Sequence, residues 1–115
     1  MAIDKALLSG STTMLVLKLL EEKDMYGYQM IEELAKRSDK TFNLKAGTLY
    51  PILHSLENAD IVSSYDDNAD SERVRKYYHL SSKGKKLLKD KHSEWTAYAK
   101  AVNMVMNGGA SYAAV

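Results

Sequence analysis

The sequence has no cysteine and no long apolar run, and each of these absences excludes a class of protein. Without cysteine the chain can form no disulfide framework, thiolate metal site or cysteine nucleophile. Its most apolar stretch near the start, residues 14–17, is far shorter than the roughly 20 apolar residues that span a bilayer. Because no basic leader or cleavage site accompanies it, we expect a cytoplasmic protein with no membrane partner.

What is present is the composition of an ordinary globular domain: 115 residues, of which 45% are hydrophobic and 27% are charged. That length predicts one domain, or one domain with an appendage. Sixteen Lys and Arg residues against fifteen Asp and Glu residues give a formal net charge of +1. Taken alone, this balance argues against a protein that binds nucleic acid through bulk charge.

Apolar residues at helical spacing predict a first helix from about residue 11 to residue 22. Residues 3–8 either form a short preceding turn or extend the same helix with a break near Gly10. A side-chain oxygen at the start of a helix can accept a hydrogen bond from a free first-turn amide. The candidate N-caps of this helix are Ser9, Ser11 and Thr12.

Two further helices are predicted at residues 26–37 and 47–59, and Asp24 is the candidate cap of the earlier one. Pro51 constrains where the later helix begins, because a proline ring clashes with the carbonyl four residues back. Gly47 must therefore lie at or near the N-terminus of that helix.

The pattern then changes to that of a β-hairpin. Residues 61–65 are rich in β-forming side chains, residues 74–80 alternate with a period of two, and the polar residues 66–71 separate them. Three short helices followed by a hairpin is the element order of a winged helix-turn-helix. The predicted fold class is therefore mainly α (α+β), with a two-stranded β-wing.

A long last helix, capped by Ser81 or Ser82, is predicted to end at Met106, before the glycines 108 and 109. Its apolar residues repeat with a period of about 3.5 residues, which is the spacing of a coiled-coil contact. We number this fourth predicted helix α4 and call its line of apolar residues the α4 seam, which consists of Leu88, His92, Trp95, Ala99, Val102 and Met106.

The α4 seam has no obvious partner within so small a domain. We therefore expect it to pair with a second subunit and with residues near Leu7 and Leu8, which predicts a homodimer. The chain then divides into a winged helix-turn-helix domain at residues 1–81, a C-terminal dimerisation helix at residues 82–107 and a tail at residues 108–115.

Charge is segregated along the chain although its sum is nearly neutral. Residues 57–72 contain six acids and no Lys or Arg, whereas residues 73–91 contain eight bases and one acid. A basic strand at the edge of a wing can lie along a phosphate backbone, so double-stranded DNA is the predicted partner. The acidic wing tip would repel DNA, and the lysines of residues 83–91 can be a solvated helix face. The predicted contacts on the returning strand are Arg73, Arg75 and Lys76.

Four stretches resemble the PadR family of bacterial transcriptional regulators at matching spacing. The most specific is Gly47-Thr48-Leu49-Tyr50-Pro51-Ile52-Leu53-His54-Ser55-Leu56-Glu57. The others are Tyr26-Gly27-Tyr28-Gln29-Met30, then Arg75-Lys76-Tyr77-Tyr78-His79-Leu80-Ser81 with Gly84 after it, and the long helix with Trp95. The single helix after the wing is similar to the short subgroup that includes multidrug-sensing repressors. The resemblance implies a dimeric winged-helix repressor, and a dimer suits a palindromic operator.

The predicted base and phosphate contacts lie at the start of the third helix. In a helix-turn-helix, the N-terminal end of the recognition helix enters the major groove. Here that end carries Lys45, Thr48 and Tyr50, which offer one charge and two hydroxyl groups. Tyr28, offset from the apolar face of the second helix, is a further candidate for a phosphate contact. Tyr50 has an alternative role as a partly buried packing ring.

Trp95, at the centre of the α4 seam, has two interpretations: an aromatic anchor of a dimer interface or a stacking surface for a ligand. In the drug-sensing relatives, the tryptophan at this place stacks on flat aromatic ligands between subunits. The resemblance thus implies a small aromatic or hydrophobic effector, although the long charged Lys91 argues against a wide apolar pocket, and other family members sense phenolic acids. The implied ligand-binding residues are Leu7, Thr13, Met14, Trp95, Tyr98 and Ala99.

Nothing in the sequence favours an enzyme. His54, His79 and His92 are far apart and show no metal-ligand spacing. No phosphate loop, nucleophile elbow or glycosidase-type pair of carboxylates is present. We therefore expect no catalysis, metal or cofactor. The alternative from another functional class is a winged-helix adaptor without a ligand, which contacts proteins and whose basic strand only keeps it soluble.

Overall fold

The part of the chain that the structure describes contains four helices and three short strands, in the order that the sequence predicts with one added strand. The structure is a computed structural model that describes residues 2–67 and 74–108. The elements are α1 (Lys5–Glu22), β1 (Met25–Tyr26), α2 (Gly27–Arg37), α3 (Ala46–Asn58), β2 (Val62–Asp67), β3 (Arg75–Leu80) and α4 (Ser82–Met106). This architecture confirms the mainly helical winged helix-turn-helix.

The first helix begins before residue 11, as the longer of the two alternatives predicts, but it has no break near Gly10. α1 begins at Lys5 and runs through Gly10, and its N-cap is Asp4, whose carboxylate accepts a 2.8 Å hydrogen bond from the Ala6 amide. The predicted caps Ser9, Ser11 and Thr12 are therefore wrong. The hydroxyls of Ser9 and Thr12 instead donate to carbonyls of the preceding turn, which lets both residues sit inside the helix.

The N-cap of α2 is also not the predicted one. α2 begins after Tyr26, which makes no side-chain capping bond, whereas the Asp24 carboxylate faces the neighbouring strands. Asp24 cannot cap because the two residues after it are extended and pair with β3. The α3 prediction was close: Lys45 is the N-cap and Gly47 lies in the first turn, as Pro51 requires.

The wing sheet has three strands where the sequence predicts two. Its strand order is β1-β3-β2, all antiparallel, with Met25 opposite Tyr78 and Val62 opposite Leu80. β1 is only two residues long, so no period-two pattern could predict it. It becomes a strand because the tight connection between α1 and α2 brings it against the edge of β3.

The core lies where α1 packs against the other helices and β3. Its fully buried side chains come from five elements, α1, β1, α2, α3 and β3, and include Leu17, Met25, Met30, Leu53 and Tyr78. The start of α4 belongs to this core, since Ser81 caps the helix by accepting from the Gly84 amide at 3.0 Å, and Leu88 is buried. Beyond Leu88 the helix leaves the body, and the described residues extend over 67 × 33 × 21 Å.

Candidate nucleic-acid interface

The N-terminal end of α3 presents two of the predicted DNA contacts to solvent. Lys45 is its N-cap and Thr48 lies in its first turn, and both side chains are exposed. Within the described residues no side chain caps this end, so its first amides stay available to an acceptor. Tyr28, in the first turn of α2, is 60% exposed and stands near the same surface. These three residues thus lie where a backbone or base edge can reach them.

Tyr50 is half-buried, and its hydroxyl end packs against the backbone of Gly27, where a Cβ would overlap it. Burial raises the pKa of the Tyr50 hydroxyl, with a smaller contribution from Tyr28. The Tyr50 ring therefore packs between the starts of α2 and α3, which is the alternative role that the sequence analysis gave it. Contact between Tyr50 and DNA stays a prediction.

The two cations of the returning strand lie on opposite faces of the sheet. The Lys76 side chain lies toward α3, with its Nζ 3.9 Å from a Glu57 carboxylate oxygen. The Arg75 guanidinium lies on the other face, 4.6 Å from the centre of the Tyr26 ring. The third predicted contact, Arg73, lies outside the described residues. One phosphate cannot meet both described cations, so each must serve a different part of any DNA surface.

The outer face of the sheet carries a row of tyrosines that the sequence analysis missed. Tyr77 lies opposite both Tyr26 and Tyr65 in the strand pairing. Its ring meets Tyr26 edge-on with centroids 5.4 Å apart, and it stacks on Tyr65 at 5.8 Å. We call these three residues the tyrosine row. The alternation of Arg75, Tyr77 and His79 along β3 was the available signal, since such residues share one face.

The tyrosine row ends on a carboxylate that accepts two hydrogen bonds. Tyr65 donates to Asp24 at 2.7 Å, and His79 Nδ1 lies 2.8 Å from the other carboxylate oxygen. Partial burial alone would raise the pKa of Asp24, but the contacts with Tyr65 and His79 outweigh it and hold that pKa below its usual value. The same hydrogen bond raises the pKa of Tyr65 to about 12. Asp24 is therefore ionised at neutral pH.

A groove of about 810 Å³ between α1 and α4 contains all six residues predicted to bind a ligand. Its floor is apolar, and Trp95 and Tyr98 remain largely exposed within it. Lys91 and Glu94 also line this groove. The positive charge of Lys91, which was expected to disfavour an apolar pocket, therefore lies in the same groove as the carboxylate of Glu94. The six predicted residues in the groove are Leu7, Thr13, Met14, Trp95, Tyr98 and Ala99.

A second hollow of about 630 Å³ adjoins this groove and shares Trp95 and Phe42 with it. Lys85, Lys89 and His92 form its wall on α4. Within residues 2–67 and 74–108, no cluster of three or more His, Asp or Glu side chains could hold a metal ion. None of the described helices is long and apolar enough to cross a membrane.

Comparison with known proteins identifies relatives over nearly the whole chain. The model of the family described as "Transcriptional regulator PadR-like family" matches residues 16–90. An uncharacterised protein of Lysinibacillus sphaericus is 30% identical over 102 residues, which cover 89% of this chain and 94% of that protein.

Solved structures of transcriptional regulators agree in fold. One from Clostridium thermocellum is 31% identical with a TM-score of 0.81, covering 88% of this chain and 95% of that one. A PadR-family regulator from Eggerthella lenta is 31% identical with a TM-score of 0.79, covering 88% and 86% of the two chains. A third, from Clostridium difficile, is 34% identical with a TM-score of 0.74 and covers 84% and 98%.

Proposed function

Because the chain belongs to the PadR-like family of DNA-binding transcriptional regulators, we propose that it acts as a homodimeric repressor whose operator binding a small molecule modulates. The observation that carries this proposal is the exposed outer half of α4. In the single chain, Trp95 is 46%, Tyr98 60%, Val102 40% and Met106 75% exposed. Apolar side chains repeating along one helix face favour burial against another helix.

A second copy of the chain is the partner that accounts for this face. Two copies related by a twofold axis would bury each other's α4 seam and present two α3 helices to DNA. Such a pair suits two half-sites about one helical turn apart, which is the arrangement of a palindromic operator. This is how we account for a helix that projects beyond its own core.

The proposed DNA surface combines α3 with the start of α2 and the wing. Thr48 and Lys45 approach base edges or phosphates at the groove, and Tyr28 meets a phosphate beside them. Arg75 and Lys76 add charge on the two faces of the wing strand. Phosphate contacts of this kind place the protein on the duplex, and contacts from α3 supply sequence preference.

The effector is proposed to be a small aromatic or hydrophobic molecule in the α1–α4 groove, at the dimer interface. Its volume of about 810 Å³ lies within the range of about 300–1,000 Å³ typical of ligand sites. Trp95 and Tyr98 offer flat surfaces there, and Met14 is an adaptable neighbour. An inducer must favour one separation of the two α3 helices over another, because only differential affinity shifts such an equilibrium.

Sedimentation of matched variants tests the dimer. Val102→Asp places a charge in the α4 seam, whereas Met104→Asp places it two residues along, on roughly the opposite side of the helix. We expect the first to sediment as a monomer at micromolar concentration and the second to remain a dimer. Equal behaviour of the two variants would show that the α4 seam is not the interface.

Binding to duplex DNA from the region upstream of its own gene, measured across a salt series, tests the operator function. Lys45→Ala should lower the slope of log K against log salt by about 0.9, the value of one phosphate contact. Lys100→Ala, a control on the outer part of α4, should leave it unchanged. Thr48→Ala should instead change the preference among sequences.

Titration with planar aromatic compounds tests the effector. Trp95 is the only tryptophan of the chain, so its fluorescence reports on the groove and on the hollow that adjoins it. We expect quenching that saturates, together with a change in DNA affinity. No change of fluorescence at high compound concentration would contradict an aromatic site at Trp95.

A protein-binding adaptor is the second candidate function, and the charge of α3 favours it. α3 contains no Lys or Arg, and Lys76 is already paired with Glu57. Affinity for DNA that is absent, or independent of salt, would support this candidate over the repressor.

A further inference from the structure

Arg75 is held at the end of a continuous chain of side chains that crosses the outer face of the wing sheet. Its guanidinium lies 4.6 Å from the Tyr26 ring centre, and Tyr26 meets Tyr77 with ring centroids 5.4 Å apart. Tyr77 stacks on Tyr65 at 5.8 Å. The hydroxyl of Tyr65 is fixed by the Asp24 carboxylate, which also contacts His79. Each member is thus oriented by the next.

This chain lies in register across all three strands. Tyr26, Tyr77 and Tyr65 stand directly opposite one another in the strand pairing, and Arg75 precedes Tyr77 by two residues on the same face of β3. Cross-strand neighbours on one face are close enough to interact without distortion of the backbone. The position of Arg75 is therefore set by the sheet through the tyrosine row.

The location of the Arg75 guanidinium relative to α2 bears on its role in DNA binding. Tyr26 is the N-cap residue of α2, so the guanidinium lies beside the start of that helix, two residues before the exposed Tyr28. Lys76, by contrast, lies on the other face beside Glu57. Asp67 lies opposite Arg75 in the β2–β3 pairing, so one carboxylate stands next to Arg75 at this end of the sheet.

We propose that Tyr26 is a positioning residue for DNA binding: its ring, anchored through Tyr77, Tyr65 and Asp24, holds the Arg75 guanidinium in the orientation that meets a phosphate. An arginine is among the side chains with most rotamer freedom, and ordering it opposes binding. A guanidinium stacked on an aromatic face is ordered while its N–H groups remain directed outward. The inference rests on the proposed DNA binding and adds how the contact is prepared.

A double-mutant cycle between Tyr26 and Arg75 tests this role. Affinity for a random-sequence duplex of about 30 base pairs is measured for the wild type and for Tyr26→Leu, Arg75→Ala and their combination. We expect Tyr26→Leu alone to weaken binding about three- to tenfold, as the loss of one cation–π contact implies. In the Arg75→Ala background the same change should have no further effect. Tyr26→Phe retains the ring and should remain within about twofold of the wild type.

The mobility of Arg75 provides a readout that does not depend on DNA. Nitrogen-15 relaxation of the Arg75 Nε group should show an ordered side chain in the wild type and in Tyr26→Phe, and a disordered one in Tyr26→Leu. If Tyr26→Leu does not fold, Tyr65→Phe replaces it, because that change releases the anchor on Asp24 from the far end of the row. Thermal unfolding of each variant identifies losses that are merely structural.

The outcomes separate this inference from the proposed function. If the wild type binds no duplex, the DNA function fails, while an Arg75 that is ordered only when the ring is present still supports the tyrosine row as its holder. If the wild type binds and Tyr26→Leu weakens binding equally with and without Arg75, Tyr26 does not act through Arg75. An Arg75 that stays ordered in Tyr26→Leu overturns the inference outright.

Discussion

The wing body, which consists of α1 to β3 and the start of α4 as far as Leu88, and the outer half of α4 are both rich in apolar residues, yet only the wing body buries them within one chain. Leu17, Leu53 and Tyr78 are completely inaccessible to solvent, whereas Tyr98 and Met106 are 60% and 75% exposed. The boundary falls inside α4, since Leu88 is buried and Trp95, two turns later, is 46% exposed. Apolar spacing along a helix thus identifies which residues become buried, but it does not identify the surface that covers them.

The largest expected effect is on the free energy of unfolding, and its dependence on protein concentration should differ between the wing body and the outer half of α4. Leu53→Ala removes a fully buried side chain and should lower the free energy of unfolding by about 2–5 kcal/mol at every concentration. Val102→Ala, in the α4 seam, should cost less, and its effect should vary with concentration because a dimer's stability does. Urea unfolding over a hundredfold range of concentration measures both. A concentration-independent loss for Val102→Ala would remove the distinction.

A smaller effect locates the boundary within α4 itself. A Cβ at Gly84 would overlap the carbonyl of Ile61 and the side chain of Leu80, so Gly84→Ala should destabilise the fold by about 1–3 kcal/mol. Gly47→Ala is the matched control, because no described heavy atom outside its chain neighbours and the nearby backbone of its own helix lies within 4 Å of a Cβ there, and alanine favours helix. Thermal unfolding of the two variants should show shifts of opposite sign. A neutral Gly84→Ala would mean that the start of α4 does not pack on the body as described.

The smallest expected effect concerns the hydrogen bonds of Asp24 on the wing body. A carboxyl whose pKa is lower in the folded state than in the unfolded state stabilises the fold above its unfolded pKa of about 3.9. That stability is lost as pH falls through the folded pKa. Because the carboxylate is partly exposed, we expect a contribution of about 1 kcal/mol or less.

The measurement compares the wild type with Asp24→Asn in urea at several pH values. The wild type should be the more stable of the two at pH 7, and the difference should shrink steadily below about pH 4. Val102→Ala should show no such dependence, since no titratable group is removed. A difference that is constant down to pH 2 would contradict the role of the Asp24 charge.

Most of the fold could be predicted because it depends on local patterns. Helical spacing predicted the three short helices, and alternation along residues 74–80 predicted a strand. The errors have a common physical origin. β1 is too short to show a sequence pattern. Asp24, predicted as a helix cap, instead accepts hydrogen bonds from side chains of β2 and β3, which lie close to it. Such contacts join residues that are far apart in sequence.

The candidate site was predicted unevenly for the same reason. Lys45 and Thr48 belong to one helix end, and the structure exposes both as expected. Arg75 and Lys76 are neighbours in sequence but lie on opposite faces, which follows from the period of a strand. The tyrosine row escaped prediction because its three members come from three separate strands, and their alignment depends on the register of two pairings.

Local sequence patterns alone specify the order of the four helices and the β2–β3 hairpin, the segregation of charge between residues 57–72 and 73–91, and the apolar line along α4. Each of these depends on residues a few positions apart, where helix and strand periods dictate which side chains share a face. Three further arrangements depend on tertiary packing: Tyr50 packs against Gly27, Arg75 lies over Tyr26, and one groove contains all six predicted ligand residues. These arrangements arise when separate elements pack together, and packing depends on shape and register across the whole chain.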